Sequence, residues 1–166
     1  MDLTKYENHL AACMARRPFP ITEEELCSRY EKVYTAAVND VLREEGLIAQ
    51  TLPNDIAPLR ENMVVCGIAF TVKGCPSLSI KNEMEERAKM LNEIGPGSIV
   101  VWDTSGDTIS AQWGEMMTKV SQQRGCRGAV VDGGVRDTRG VLAQKFPVFC
   151  KYRSSNGMLG RFRITD

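Results

Sequence analysis

Apolar positions along this chain recur with two different periods. Leu26, Tyr30, Val33, Ala37 and Val41 return at helical spacing up to Gly46, and Thr22 with Glu25 forms a capping box ahead of them. That pattern predicts a helix over this stretch. Met63 to Val72, reading MVVCGIAFTV, is an apolar run that predicts a buried strand, with Gly67 as a bend. Glu83 to Ile94 returns to helical spacing with a polar surface and is stopped by Gly95-Pro96-Gly97. Ser98 to Asp103 then predicts the second strand, and Thr104 to Thr108 a loop. A helix follows from about Trp113 to Gln123, closed by Gly125, and Gly128 to Asp132 is the third strand. After a short helical turn, Phe146 to Cys150 is the fourth. Between the first helix and the first strand, Leu52 to Asn62 carries Pro53 and Pro58 and reads as an irregular connection.

Strands alternating with helices indicate an α/β domain around a largely parallel sheet. Residues 1–20 end in Arg16-Arg17-Pro18-Phe19-Pro20, where two prolines break any helix. They are expected to form an N-terminal helical extension, leaving residues 21–166 as a single main domain. The length, 166 residues, leaves little room for a second one.

Lys and Arg number 21 and Asp and Glu number 21, so the formal charge cancels. That balance argues against nucleic acid or an anionic membrane surface as the partner. No apolar run reaches the roughly 18 residues of a membrane span, and Met1-Asp2-Leu3-Thr4 lacks the start of a secretory signal. The expected location is the cytoplasm. Six cysteines, at 13, 27, 66, 75, 126 and 150, form no CxxC pair, and His9 is the single histidine. Such spacing offers no zinc site and predicts reduced, structural thiols.

Chemistry is expected where strands end in an open α/β sheet. One such loop leads from Trp102-Asp103 to Trp113-Gly114-Glu115-Met116-Met117 at a helix N-terminus, whose free amides can cradle a carboxylate or phosphate. Taken alone, it is explained as well by Gly114 allowing a turn and Glu115 favouring the helix dipole. The other loop is Asp132-Gly133-Gly134-Val135-Arg136-Asp137. Its glycines would turn the backbone sharply after the strand. Arg136 can grip a carboxylate bidentately, Asp137 can hold a hard cation, or the two can simply pair with each other. Twenty residues separate Glu115 from Arg136, enough for a helix and a strand that return the chain to the same sheet edge. One guanidinium and two carboxylates would then converge, a set suited to a metal-bound 2-oxo acid.

Gly114-Glu115-Met116-Met117, the 20-residue spacer and Gly128 to Asp137 together resemble the 4-hydroxy-4-methyl-2-oxoglutarate aldolase family, also called the family of regulator of ribonuclease activity A. Val38 to Leu42, Gly67 to Val72, Gly95 to Val101, Pro147-Val148-Phe149 and Gly160-Arg161 extend the resemblance from about residue 28 to the end. The resemblance implies a β/β/α swivelling-type fold assembled as a homotrimer or hexamer, with sites between subunits. It places Gly114, Glu115, Met116, Met117 and Arg136 on the substrate, Asp137 on Mg²⁺ or Mn²⁺, and Glu115 acting through a water on that metal. Arg136, Asp137 and Glu115 would form the catalytic set.

The implied reaction is class II-type retro-aldol cleavage of 4-hydroxy-4-methyl-2-oxoglutarate or 4-carboxy-4-hydroxy-2-oxoadipate to pyruvate, with oxaloacetate decarboxylation beside it. A cation and Arg136 would neutralise the enolate charge, so no Schiff-base lysine is required. Lys73, Lys81, Lys119, Lys145 and Lys151 are then expected to be surface charges. The alternative is a non-catalytic, oligomeric regulator of a ribonuclease, whose best-known representatives lack the Arg-Asp pair. A methyltransferase reading of Asp132-Gly133-Gly134 lacks the GxGxxG arrangement. The β-rich segment with which the family continues past Gly160-Arg161 is expected to be missing here.

Overall fold

The computed structural model describes residues 20–166. The expected N-terminal extension, His9 and Cys13 lie outside the described residues, Pro20 apart. Helices α1 (Glu23–Tyr30) and α2 (Thr35–Glu44) precede β1 (Ala57–Pro58) and β2 (Ile68–Pro76). Then follow α3 (Glu83–Glu93), β3 (Ser98–Asp103), β4 (Ala111–Trp113), α4 (Glu115–Gln123) and β5 (Gly128–Val135). The chain closes with α5 (Thr138–Ala143), β6 (Val148–Arg153) and β7 (Phe162–Ile164). None of these helices is long and apolar enough to cross a membrane.

The strands form one sheet in the order β1-β6-β5-β3-β2-β7, with β4 pairing β5 off that path. The inner pairs β2–β3, β3–β5, β4–β5 and β5–β6 are parallel, and the outermost strands β1 and β7 run antiparallel. The sheet is therefore the largely parallel α/β sheet expected, edged by short antiparallel strands. Parallel strands covered on both faces read as continuous apolar runs, and β3 is buried at Ser98, Ile99, Val100 and Trp102. Trp102 meets Phe162 of β7 edge-on at 6.3 Å, and Trp113 stacks on Phe146 at 6.1 Å.

Four expectations need correction. The long N-terminal helix is two helices, because the chain is extended at Tyr34 (φ −67°, ψ 137°), the N-cap of α2. Val33-Tyr34-Thr35 puts two β-branched residues and an aromatic together, a run with low helix propensity. The first long strand runs from Ile68 to Pro76 rather than from Met63. Its partner β3 starts only after the Gly97 turn, with Ile68 opposite Ser98, so pairing rather than apolarity sets the boundary. Trp113 belongs to a strand, and α4 begins two residues later.

The fourth correction concerns Gly133-Gly134, which lie inside β5 rather than in a turn after it. A Cβ on Gly133 would stand 2.8 Å from Thr104 Cγ2 and collide with Gln112 Oε1. On Gly134 it would stand 2.5 Å from both the Ser110 carbonyl oxygen and Tyr152 Cε2. The glycines admit other side chains to the strand, and pairing with β6 slips between Val131 and Gly134.

The five described cysteines are free thiols. Burial pushes the Cys66 and Cys150 thiols up, which favours their protonated form. Lys73 is exposed and pairs with Asp103 at 2.8 Å across β2–β3. Lys151 pairs with Asp132 at 2.5 Å and Asp55 at 3.5 Å, fastening β6 to its surroundings.

Phe162 is fully buried against Trp102 and over Gly74. Phe162→Ala is expected to cost about 3–5 kcal/mol, read from urea unfolding; a loss below about 1 kcal/mol would show that β7 contributes little to the core. Tyr152 donates to the carbonyl oxygens of Ser110 at 2.8 Å and Asp107 at 3.1 Å. Burial, with the Asp107 charge adding, pushes its hydroxyl up to about 12. An unfolded tyrosine titrates near ~10, so this stabilisation is complete below pH ~10 and is lost as pH rises towards ~12. Tyr152→Phe should flatten the fall in stability across that window, measured by denaturation at stepped pH.

Candidate functional site

Strands β4 and β5 end side by side, with Ala111 opposite Gly134 and Trp113 opposite Val135. Each leads within two residues into a helix, β4 through Gly114 into α4 and β5 through Arg136-Asp137 into α5. The Arg136 amide donates to the Trp113 carbonyl at 2.9 Å, joining the two strand ends. The spacer between Glu115 and Arg136 is spent on α4 and β5, and it brings the two loops together as their spacing suggests.

Hydrogen bonds fix the start of α4. Trp113 Nε1 donates to Thr118 Oγ1 at 2.8 Å, and the Thr118 hydroxyl and amide each donate to the Gly114 carbonyl at 3.0 Å. Gly114 is the N-cap and has no side chain, so it supplies no side-chain cap to the first turn. The amides of Glu115, Met116 and Met117 remain available to an anion.

Gly114 is extended (φ −167°), so backbone strain does not explain the glycine. Close approach does. A Cβ there would stand 2.9 Å from Asp137 Oδ2 and 3.1 Å from Arg136 Cγ. On the other side, a Cβ at Gly157 would stand 2.7 Å from Arg136 Nη1. Two glycines thus leave room for one arginine, whose Nε donates to Asp137 Oδ2 at 3.2 Å.

Asp137 is left-handed (φ 52°, ψ 35°), a conformation that Asp adopts more readily than most residues. It is the N-cap of α5, yet its side chain makes no capping bond. The carboxylate faces Arg136 instead and is half exposed, which leaves Oδ1 open. A hard divalent cation takes oxygen ligands and commonly keeps several waters beside one or two carboxylates. No group of three His, Cys, Asp or Glu among the described residues could enclose a metal. Asp137, a half-exposed carboxylate with Oδ1 outside the Arg136 pair, fits such a hydrated ion.

Arg136 and Asp137 open into a cleft of about 450 Å³, walled by Met84, Leu91, Trp113, Met158 and Leu159. Met116 is exposed on its rim, whereas the Met117 side chain packs in the core. Met117 borders the same cleft while anchored in that core. Glu115 turns away from this cleft. Its carboxylate lies against Gly140, where a Cβ would collide with it, in a shallow depression shared with Asp137, Thr138 and Arg139. Asp137 borders both spaces. A larger groove of about 680 Å³, reaching from Val38 and Leu42 to Phe149, has no charged side chain in its lining.

One cleft residue was not anticipated. Arg87 of α3 faces the same space as Arg136, and burial followed by the Arg136 charge pushes its guanidinium down. In the sequence it is one basic residue in a polar helix, four positions after Glu83, the spacing of an ordinary surface pair. Nothing local distinguishes it.

Gly114→Ala should leave the melting temperature near that of the parent while forcing Asp137 and Arg136 away from α4. The expected outcome is about tenfold or greater weakening of oxalate binding, measured by calorimetry; undiminished binding would show that the close approach is not needed.

The RraA-like family model, described as Aldolase/RraA, matches residues 35–162. A Halalkalibacterium halodurans protein provisionally named as a 4-hydroxy-4-methyl-2-oxoglutarate aldolase is 32% identical over 129 residues, which are 78% of this chain and 57% of that protein. The chain therefore spans little more than half the length of this curated relative. A crystal structure described among novel cellulases from microbes associated with the gut ecosystem is 47% identical, with a TM-score of 0.91 over 100% of this chain and 74% of the other. The fold also matches RraAS2 of Streptomyces coelicolor, described as an unusual member of the RNase ES inhibitor RraA protein family, at 23% identity and a TM-score of 0.75 over 89% of this chain and 73% of that one. The chain belongs to the RraA-like family of aldolases and RraA proteins.

Proposed function

We propose that the cleft cleaves a carbon–carbon bond in a 2-oxo acid to release pyruvate, with Asp137 holding a divalent cation such as Mg²⁺ or Mn²⁺. The observation that carries this reading is the convergence of Arg136, Asp137 and the uncapped start of α4 on one cleft with largely apolar walls. The name of the H. halodurans relative supports the same chemistry.

In this reading the amides of Glu115 to Met117 and the Arg136 guanidinium bind the 2-oxo acid carboxylate and orient it. A cation at Asp137 would supply Lewis-acid stabilisation of negative charge at the 2-oxo group. Cleavage of 4-hydroxy-4-methyl-2-oxoglutarate removes the 4-hydroxyl proton and breaks the C3–C4 bond. The bonding pair stays as a pyruvate enolate, which is protonated at C3. Oxaloacetate reaches the same enolate by losing CO₂. Arg136 keeps a fixed positive charge beside the developing enolate, and the apolar walls keep water from weakening it. Glu115, in the depression on the far side of Asp137, is placed to influence the cation rather than the carboxylate.

Hydrolysis of a glycosidic bond calls for two carboxyl groups facing each other across a sugar. The cleft lining has one carboxylate, Asp137, beside two arginines, a charge pattern for an anion. Assembly as a homotrimer or hexamer belongs to the same proposal. Leu78, Ile80, Met84 and Met116 are large apolar side chains left exposed, and Met84 and Met116 border the cleft. A neighbouring subunit seated there would close it.

The test is pyruvate release from oxaloacetate and 4-hydroxy-4-methyl-2-oxoglutarate, with Mg²⁺ or Mn²⁺ and with chelator. Chelator-sensitive turnover is expected, reduced by about 100-fold or more in Asp137→Ala and by about tenfold or more in Arg136→Lys. A folded, metal-loaded protein without turnover on either substrate would favour the non-catalytic, ribonuclease-regulating alternative.

A further inference from the structure

Two guanidinium groups share the cleft, and the 2-oxo acid carboxylate needs only one of them. Arg136 comes from the strand end beside α4. Arg87 comes from α3, whose Met84 and Leu91 line the cleft with it. The cleft is lined largely by apolar side chains and the Arg87 side chain is 25% exposed, so its charge is less screened than at an open surface.

Arg87 is held in place at some cost. Its Nη2 is bound by Glu83, whose side chain is 1% exposed against 25% for that of Arg87. Glu83 Oε2 and Arg87 Nε are both buried and unpartnered among the described residues. An enclosed carboxylate is expensive unless it meets a cation, and one left half-satisfied contributes little to stability. What this pair does accomplish is to fix the orientation of a guanidinium with five donors in a planar fork. Nη1 is neither buried nor bonded among the described residues and is the donor left to meet a ligand.

We propose that Arg87 binds the distal carboxylate of a dicarboxylic 2-oxo acid whose first carboxylate is held by Arg136, and that it thereby selects dicarboxylates over monocarboxylates. The inference rests on the 2-oxo acid reading above and adds to it a specificity-determining residue. Two cationic groups lining one largely apolar cleft match a short ligand with an anion at each end. A monocarboxylate would leave Arg87 unanswered and place a methyl group against it.

The experiment is calorimetric binding to the full, Mg²⁺-loaded chain, comparing 2-oxoglutarate with 2-oxopentanoate, which replaces the distal carboxylate by a methyl. For the parent protein, 2-oxoglutarate is expected to bind about tenfold to a hundredfold tighter, as for a charge-assisted contact. Arg87→Met should bring the two within about threefold by weakening 2-oxoglutarate alone, and Arg87→Lys should retain part of the preference. Because Arg87→Met orphans Glu83, the double variant Glu83→Gln/Arg87→Met is measured beside it and should show the same collapse. Arg136→Met is expected to weaken both ligands alike. A parent protein without preference, or a folded single or double variant that keeps it, overturns the role of Arg87 and leaves the 2-oxo acid reading standing. Failure of both acids to bind the parent protein overturns that reading and this inference together.

Discussion

Gln112 is almost wholly enclosed, and both ends of its amide are engaged. Oε1 accepts from the Gly134 amide at 2.9 Å, and Nε2 donates to Asp107 Oδ2 at 2.6 Å. Asp107 in turn accepts from the amides of Ile109 and Ser110 at 3.0 and 3.1 Å. A buried polar set of this kind is favourable only when its members are satisfied, and satisfaction here requires that β5 carry no side chains at Gly133 and Gly134. With those two positions bare, the loop after β3 packs onto β5, β4 aligns with the end of β5, and the Arg136 amide reaches the Trp113 carbonyl. The two site loops are neighbours because Gln112 has somewhere to go.

The same constraint explains which parts of the fold were legible in the sequence. Strand β3 and helix α3 were readable nearly to the residue, since Ser98 to Asp103 is a continuous apolar strand and α3 is closed by the Gly95-Pro96-Gly97 turn. The Gly-Gly pair was read as a turn because glycine permits one, yet its use is to receive Gln112, Thr104 and Tyr152 from elements distant in the chain. Strands β1 and β7, with two and three residues, are defined by their partners Phe149–Cys150 and Gly74–Pro76 and carry little pattern of their own. Boundaries set by pairing are not written in local periodicity.

The candidate site divides in a similar way. Arg136, Asp137 and Gly114 could be singled out because unusual residues stand where strands end, and their separation fits one helix and one strand. Arg87 could not, because its partner Glu83 lies at the spacing of any surface ion pair and only the packing of α3 buries it. Met117 was read with Met116 as a lining side chain. Both methionines border the cleft, Met116 exposed at its rim and Met117 packed into the core as well.

Asp137 shows how the arrangement divides its charges. An aspartate at an N-cap normally satisfies amides of its own helix. Here the left-handed backbone carries the residue out of capping geometry, and α5 begins without that bond. The cost, of order 1–3 kcal/mol for the strained backbone together with a lost cap, is sustained because the surrounding loops fix the residue. The return is a carboxylate whose Oδ2 meets the Arg136 guanidinium in the room that Gly114 leaves, while Oδ1 is not used by that pair. Arg136 and Arg87 share the cleft on one side of that carboxylate, and the Glu115 side chain lies in the depression on the other. In the proposed reading, a ligand with a cation beside Asp137 and an anion at each end would meet Arg136 and Arg87 in one cleft, each guanidinium still held by the carboxylate that positions it.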